Sequence, residues 1–315
     1  MVSGPGGRFF VADQQASEVL RFDAHGNLEG TIGRRGRGPG EFSAWLAGIV
    51  WQAPNRLWAA DAHRIMAFDS TGALLNGHSH TRGGSGSSLW SGWADTTGML
   101  YSREYDFQLG PGAPTVVESV VRFRIGENHA LEEIGTFVIP APPNTARLVD
   151  RGGGLTEMME LPMAPRVLAT VGPAGTLWMA NSSSYRIHEV TFDGDTLTTI
   201  ALDRDPEPLL GAERDSVAEA SQVFSPSELP ATKPMMGSLR VARNGWIWLL
   251  AKHGGATAWD VFGECGRYLG QVDPGPLTSL RAFPGGSEVL GVTRDDLGVE
   301  YVVRFALQVP DELLC

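Results

Sequence analysis

The chain has 315 residues, of which 42% are hydrophobic, and its 25 Lys and Arg against 36 Asp and Glu give a net charge of −11. This acidity argues against nucleic acid as a partner, because an acidic protein repels a polyanion. The 40 glycines and 20 prolines are scattered between short apolar runs, which is typical of a globular protein with many tight turns. No apolar run is long enough to predict a membrane-spanning segment.

A pair of apolar runs recurs six times along the chain. The first run follows a turn and ends in a small or acidic residue, as in GRFFVAD at 7–13 and NRLWAAD at 55–61. The second run ends in an aromatic or branched residue, as in VLRFD at 19–23 and IMAFD at 65–69. Short runs rich in Val, Phe and Trp between Gly-containing turns predict β-strands. With one strand before and one after each pair, the repeat predicts an all-β fold, a six-bladed β-propeller of four-stranded antiparallel blades.

The segment GRRGRGPGEF at 33–42 joins the first repeat to the second. It lacks the Gly-Lys-Ser/Thr ending of a phosphate-binding loop. Together with GRFFVAD and VLRFDAHGNL before it, this segment resembles the NHL-repeat and TolB-like six-bladed propellers. The residues that carry the resemblance are Gly33, Gly36, Gly38, Pro39, Gly40 and Phe42. The resemblance implies a connector between blades, with glycines at positive φ and Phe42 packed between the blades.

We expect a single propeller domain over 1–315, with insertions at about 136–166 and 203–235. Few residues precede the first run and few follow the last, so we expect the first strand of blade one and the last strand of blade six to be missing. On that expectation the chain is a shortened version of a longer protein. The segment MVSGPGGRFF has no charged stretch followed by an apolar one, so no signal peptide is predicted in this chain. The resemblance nevertheless implies an extracytoplasmic (periplasmic or secreted) location for the full-length parent. The alternative is a complete chain with a degenerate first strand.

The connections of a propeller fall on two faces. Naming the strands of a blade A to D from the channel outward, the B–C loops and the D–A connectors share what we call the first face. The A–B and C–D turns share the second face. A predicted loop at 104–118 and both insertions belong to the first face, and long loops in a compact domain commonly bind a ligand or cover a site. The first face is therefore the predicted site.

Four oxygen-bearing residues end the B strands on this face: Asp13, Asp61, Glu104 and Asn181. Arranged around the channel mouth they are the candidate ligands of a metal, with a divalent cation such as calcium as the candidate cofactor. The alternative is that each caps its own loop by accepting hydrogen bonds from backbone amides.

The other candidate ligand-binding residues of the first face are Arg34, Arg35, His63 and His253. Two neighbouring arginines can clamp a carboxylate, although exposed arginines commonly pair with surface acids. The histidines lack metal-ligand spacing. Cys265 and Cys315 are predicted at the second face of adjacent blades, where a disulfide is conceivable in an oxidising compartment.

No complete catalytic constellation is present in the sequence, so no catalytic residue is assigned. The favoured hypothesis is a monomeric, non-catalytic binding or recognition propeller that holds a protein or small-molecule ligand on the face with the long loops. The alternative is a metal-dependent lactone hydrolase or lyase, similar in fold to gluconolactonase-type propellers, with a cation at the channel mouth. The question of enzyme activity stays open at this point.

Overall fold

The computed structural model describes residues 1–310 except 44, 80–89, 109–114, 141–145, 151, 153–155, 254, 276–277 and 286. The described residues form an all-β, six-bladed propeller with one short helix. Each complete blade is a four-stranded antiparallel sheet whose strands follow one another in chain order.

The first three blades are four-stranded sheets, and the last three strands of the third blade are longer than those of the first two. Blade one comprises β1 (Val2–Ser3), β2 (Phe9–Asp13), β3 (Glu18–Phe22) and β4 (Leu28–Ile32). Blade two comprises β5 (Gly48–Gln52), β6 (Arg56–Ala60), β7 (Arg64–Phe68) and β8 (Leu74–Ser79). Blade three comprises β9 (Gly92–Ala94), β10 (Leu100–Gln108), β11 (Thr115–Ile125) and β12 (Leu131–Val138).

The last three blades follow a hairpin and are interrupted by a helix-bearing insertion. The hairpin pairs β13 (Ala146–Asp150) with β14 (Thr156–Glu160). Blade four comprises β15 (Val167–Val171), β16 (Leu177–Asn181), β17 (Arg186–Val190) and β18 (Thr196–Ala201). After helix α1 (Gly211–Ser221), blade five comprises β19 (Met236–Val241), β20 (Ile247–His253), β21 (Ala256–Phe262) and β22 (Tyr268–Val272). Blade six has three described strands: β23 (Thr278–Gly285), β24 (Glu288–Arg294) and β25 (Glu300–Ala306).

Two expectations from the sequence are corrected here. Blade one has its first strand, because Val2 and Ser3 pair with Phe10 and Phe9. The expected 104–118 loop is mostly strand, since β10 runs on to Gln108 and β11 begins at Thr115. The last strand of blade six is missing among the described residues, and 311–315 lie outside them. The first insertion contains a β-hairpin and the second contains a helix.

The core is divided into layers, one between each pair of neighbouring blades. Adjacent residues of a strand point to opposite faces of the sheet, so each B strand sends one side chain to the preceding blade and the next to the following blade. In β6, Leu57 joins the layer shared with blade one, and Trp58 joins the layer shared with blade three. In β20, Ile247 and Trp248 divide in the same way between blades four and six. Each such side chain contributes about 2 kcal/mol by leaving water.

The ring closes through side-chain packing between blade one and blade six. Strand β1 contacts β23, and Phe9 packs with Ala282 and Leu290. The Arg304 guanidinium adds a hydrogen bond of 2.8 Å to the carbonyl of Gly7. This layer has three buried members, against twelve in the layer between blades four and five. Among the described residues it is the thinnest seam of the ring.

The connector at 33–42 buries Phe42 as predicted, but only two of its four glycines have a positive φ. Phe42 is fully buried in the layer between blades one and two, and Gly33 and Gly40 have φ of +74° and +73°. Gly36 has no positive φ; instead, a Cβ there would lie 2.1 Å from Oε2 of Glu41. That oxygen accepts a hydrogen bond of 2.8 Å from the Gly38 N–H. Glycine at position 36 is thus required for space and not for backbone conformation.

The 203–235 insertion carries a small core of its own. Leu209, Ala218 and Leu229 are buried together, and Leu161 and Met163 from the first insertion pack against them. The guanidinium of Arg214, on α1, ties this segment together by donating to four backbone carbonyls, those of Leu209, Pro226, Leu229 and Pro230. The insertion is therefore held mainly by its own contacts.

Candidate functional site

The sequence-predicted residues at the ends of the B strands serve their own loops. The Oδ1 atom of Asp13 accepts hydrogen bonds from the amides of Gln15 and Ala16, both 2.9 Å long. The Oδ1 atom of Asn181 accepts from the amide and hydroxyl of Ser183, at 3.0 and 2.8 Å. These contacts are those of loop-capping residues, which is the alternative that the sequence left open.

Asp61 is the most constrained member of the set. Its Oδ1 accepts from the amides of His63 and Arg64, both at 2.7 Å, and its Oδ2 accepts from the amide and hydroxyl of Ser43 at 2.8 and 2.9 Å. Burial raises the pKa of this carboxyl, but the hydrogen bonds from His63, Ser43 and Arg64 outweigh burial and hold the pKa below its usual value. Asp61 thereby joins the B–C loop of blade two to the connector that precedes the blade.

Glu104 lies inside β10 and not at its end. Its Oε1 accepts a hydrogen bond of 2.5 Å from the Ser102 hydroxyl, whose oxygen in turn accepts from Nε1 of Trp90 at 2.9 Å. Within the described part of the chain, no three His, Cys, Asp or Glu side chains are arranged to hold a metal ion. Asp13, Asp61 and Glu104 are therefore not brought together, and the described residues do not fit the predicted cation site.

The other predicted residues divide between surface contacts and a cavity. Arg34 is largely exposed and pairs with Glu41 at 2.7 Å, while Arg35 is exposed and its backbone bridges to Phe42. The side chain of His63 is exposed. His253 lines a cavity on the first face. Cys315 lies outside the described residues, so the pairing of Cys265 with Cys315 stays a prediction.

This cavity, which we call the insertion cavity, has a volume of about 580 Å³ and lies between blade five and the second insertion. Arg204, Asp205, Glu207 and the neighbouring prolines form one wall, while Lys252 and His253 at the end of β20 form the other. Prolines fix φ, and a segment rich in them presents a preformed wall. A volume of this size is typical of small-molecule sites.

His253 is held at the cavity by a buried carboxylate. Its Nε2 lies 3.1 Å from Oδ1 of Asp260, and its Nδ1 lies 3.2 Å from a guanidinium nitrogen of Arg204. The amide of Gln271 contacts both ring nitrogens and Oδ1 of Asp260. With partners on both sides, the imidazole is fixed in orientation.

Asp260 links blades four and five. It is 1% exposed, and its Oδ2 accepts a hydrogen bond from the hydroxyl of Tyr185, which belongs to the B–C loop of blade four. Burial, and then this hydrogen bond, raise the pKa of Tyr185 well above its usual value, so the phenol stays protonated. The guanidinium of Arg204 stacks on the Tyr185 ring, 5.3 Å from its centroid. The same network therefore orients two residues of the cavity.

The sequence alone singled out His253 but missed Asp260, Tyr185 and Arg204. Asp260 lies seven positions after His253 in the same hairpin, and in the ladder it pairs with Leu249 and not with His253. Because Asp260 lies four ladder positions beyond Ala256, the residue that pairs with His253, spacing along the chain does not reveal the contact. In the sequence, Arg204 is one of several charged residues in the second insertion, and no pattern marks it as a site residue.

Comparisons with known proteins agree with the fold. Residues 2–80 match a family model described as a 6-bladed beta-propeller, DUF5128. Among curated proteins, none matches this chain. A Bacteroides fragilis structure, whose name describes the protein as exported, is 9% identical with a TM-score of 0.51, covering 93% of this chain and 80% of that chain.

Two further solved structures are similar at lower TM-scores. Virginiamycin B lyase from Staphylococcus aureus is 12% identical with a TM-score of 0.45, covering 98% of this chain and 83% of that chain. A gluconolactonase from Xanthomonas campestris is 15% identical with a TM-score of 0.44, covering 92% of this chain and 80% of that chain. Such identities bear on the fold and not on the chemistry of the site.

Proposed function

We propose that this protein is a non-catalytic binding propeller that holds a small polar molecule in the insertion cavity. The observation that carries the proposal is the position of His253. The buried carboxylate of Asp260 fixes this residue in one wall of the cavity, and a proline-rich insertion forms the opposite wall. Polar groups oriented before a ligand arrives lower the entropic cost of binding it.

The charges of the cavity indicate the kind of ligand. Lys252 and Arg204 present cationic donors, and Asp205 presents a carboxylate on the same wall as Arg204. Among the described residues no carboxylate is in an ion pair with Lys252, whereas Lys233 pairs with Glu207 and Glu213. A molecule with an acidic group for Lys252 and a donor for Asp205 complements this arrangement.

Binding is favoured over acid–base catalysis by the contacts of His253. Asp260, Gln271 and Arg204 already engage its two ring nitrogens, so the ring is a fixed polar surface and not a free proton acceptor. A general base must reach the proton that it abstracts through a ring nitrogen open to the substrate.

The test is a thermal-shift screen of small polar metabolites, followed by titration calorimetry of the compounds that stabilise the wild type. We expect Lys252→Gln and Arg204→Gln each to weaken binding of such a compound by about tenfold. The control Arg124→Gln, at an exposed pair with Glu132 on blade three, leaves the affinity unchanged. A stabilising compound that binds both cavity variants as well as the wild type contradicts the proposal.

A chelator separates this proposal from the metal-dependent hydrolase alternative. We expect the melting temperature and the ligand affinity to be the same with and without the chelator, because the loop amides already bind Asp13 and Asp61. Loss of ligand binding after chelation, restored by calcium, favours the alternative instead.

We also propose an NHL-repeat or TolB-like type for the propeller, supported by the buried Phe42 and the glycine conformations of the connector. An extracytoplasmic location is proposed as well, supported by the name of the similar Bacteroides protein. No described helix is long and apolar enough to cross a membrane. Fractionation of the cells that make the protein tests the location, and recovery from the cytosol alone contradicts it.

A further inference from the structure

The central channel contains a second cavity that is independent of the first face. It has a volume of about 360 Å³ and lies where the A strands run into their A–B turns, so it belongs to the second face. We call it the channel cavity. Arg240 of β19 and Arg281 of β23 line it, and Arg243 lines it from the turn after β19.

These arginines form a concentrated positive charge in an acidic protein. The pKa of Arg240 is lowered, first by burial and then by the nearby charges of Arg103 and Arg281. Burial also lowers the pKa of Arg243. Each of the three arginine residues also keeps exposed surface in the channel, and guanidinium groups held close together there repel one another unless an anion lies between them.

No described carboxylate forms an ion pair with Arg240, Arg243 or Arg281. The one hydrogen bond described for the Arg240 side chain is to the carbonyl of Leu239, 2.9 Å away. Asp95 also lines the cavity, but its oxygens accept from Thr97, Met99 and the Tyr101 hydroxyl. The protein thus leaves the charge of this arginine cluster without a carboxylate counter-ion.

One part of the wall of the channel cavity is apolar. Val50, Trp93 and Phe283 line it. Phe283 is held in place by Trp248 and Trp259, at ring-centroid distances of 5.0 and 5.4 Å. A cavity that joins a cationic side to a rigid aromatic side complements a molecule with an acidic group and an apolar body.

We propose that the channel cavity binds a small organic anion, with its acidic group between Arg240 and Arg281 and its apolar part against Trp93 and Phe283. The site lies on the face opposite the insertion cavity, and neither site requires the other. Carboxylates and phosphates both carry negatively charged oxygens that accept hydrogen bonds from guanidinium groups. The volume of the channel cavity limits the ligand to a small molecule.

Phenyl phosphate is the probe for this proposal, with inorganic phosphate and benzyl alcohol as the two half-ligands. In calorimetry at low ionic strength we expect phenyl phosphate to bind the wild type at millimolar concentrations or below, inorganic phosphate to bind more weakly, and benzyl alcohol not to bind. The double variant Arg240→Gln/Arg281→Gln weakens phenyl phosphate binding about tenfold or more. No binding of phenyl phosphate to the wild type overturns the proposal.

Two controls locate the binding in the channel. Arg186→Gln, an exposed change on β17, keeps the wild-type affinity for phenyl phosphate. Lys252→Gln in the insertion cavity also keeps it, which separates this proposal from the proposed function. Equal loss in either control, or full affinity in the double variant, contradicts the channel site.

Stability in the absence of ligand gives an independent measure. Removing one of several like charges relieves repulsion, so we expect Arg281→Gln alone to melt at or above the wild-type temperature while binding phenyl phosphate more weakly. A purely structural arginine behaves in the opposite way, with a lower melting temperature. If the double variant does not fold, the melting temperature and phenyl phosphate affinity of Arg281→Gln alone test the channel site.

Discussion

Asp61 couples a B–C loop to an inter-blade connector through four accepted hydrogen bonds. The carboxylate is buried, and it is the shared acceptor for amides of the connector and of the B–C loop. Three of its donors are backbone amides, those of Ser43, His63 and Arg64. Removing one acceptor oxygen therefore leaves a buried N–H unsatisfied.

We predict that Asp61→Asn lowers the free energy of unfolding by about 2 kcal/mol near neutral pH, because the new NH2 group cannot accept from Ser43. The folded pKa of Asp61 lies below its usual value of 3.8, so its stabilisation is present above that value and is lost as the pH falls through the folded pKa. The difference between wild type and variant should therefore shrink in acid.

Urea denaturation of both proteins at neutral and at acidic pH measures this difference. Asp193→Asn, an exposed turn residue on blade four, is the matched control and should change little at either pH. If Asp61→Asn lowers the free energy of unfolding by the same amount at both pH values, the charge of the carboxylate plays no part in stability.

The connector between blades one and two shows why a loop position can require glycine. Gly33 combines a positive φ with close contact, since a Cβ there would lie 2.3 Å from Cε2 of Phe42. Gly26, in the C–D turn of blade one, has a φ of +86° but no atom within 4 Å of such a Cβ. The two positions separate the backbone requirement from the packing requirement.

We predict that Gly33→Ala costs about 3 kcal/mol of stability, because the methyl group forces Phe42 out of its layer as well as straining φ. Gly26→Ala carries only the backbone strain and should cost about 1 kcal/mol. Chemical denaturation compares the two variants. Equal costs would mean that the contact with Phe42 is relieved without penalty.

Strands and turns were predictable from the sequence because their signals are local. Consecutive apolar residues such as Leu57 and Trp58 identify the B strands, and turns that begin with Asp and end with Gly mark where strands end. Strand β1 was missed because two residues followed by Gly-Pro-Gly-Gly carry no period. The same limit applies to β10, where the polar residues Glu104 and Asp106 favour a loop over the continued strand.

The sites were harder to predict than the strands because they depend on contacts between blades. Tyr185 and Asp260 are 75 positions apart, and only ring geometry brings them together. Arg240 and Arg281 did leave a signal, since both follow Ser-Leu in neighbouring A strands.

At the scale of the whole molecule, the seam between blades one and six is the weakest closure of the described ring. Its layer contains the buried residues Phe9, Ala282 and Leu290. Strand β1, which contacts β23 across the seam, has only two residues, Val2 and Ser3. Fewer buried contacts mean that local opening requires less free energy.

We predict that β24 loses amide protection before β20 does, although both are B strands with neighbours on either side. Hydrogen exchange followed by mass spectrometry should show peptides from β24 exchanging roughly tenfold faster. Strand β6 is the control, because its layers resemble those of β20 in content. Equal exchange of β24 and β20 would show that the ring opens as one unit.

The second insertion stands apart from the ring in how it is built. Arg214 and the Leu209 cluster hold it together, yet its first residues line a cavity whose other wall is β20. A segment that is stabilised internally can be replaced by one of different sequence without rebuilding the blades beneath it. On the proposed function, a different sequence in this insertion changes one wall of the cavity and with it the ligand selectivity, while the ring keeps His253 in place.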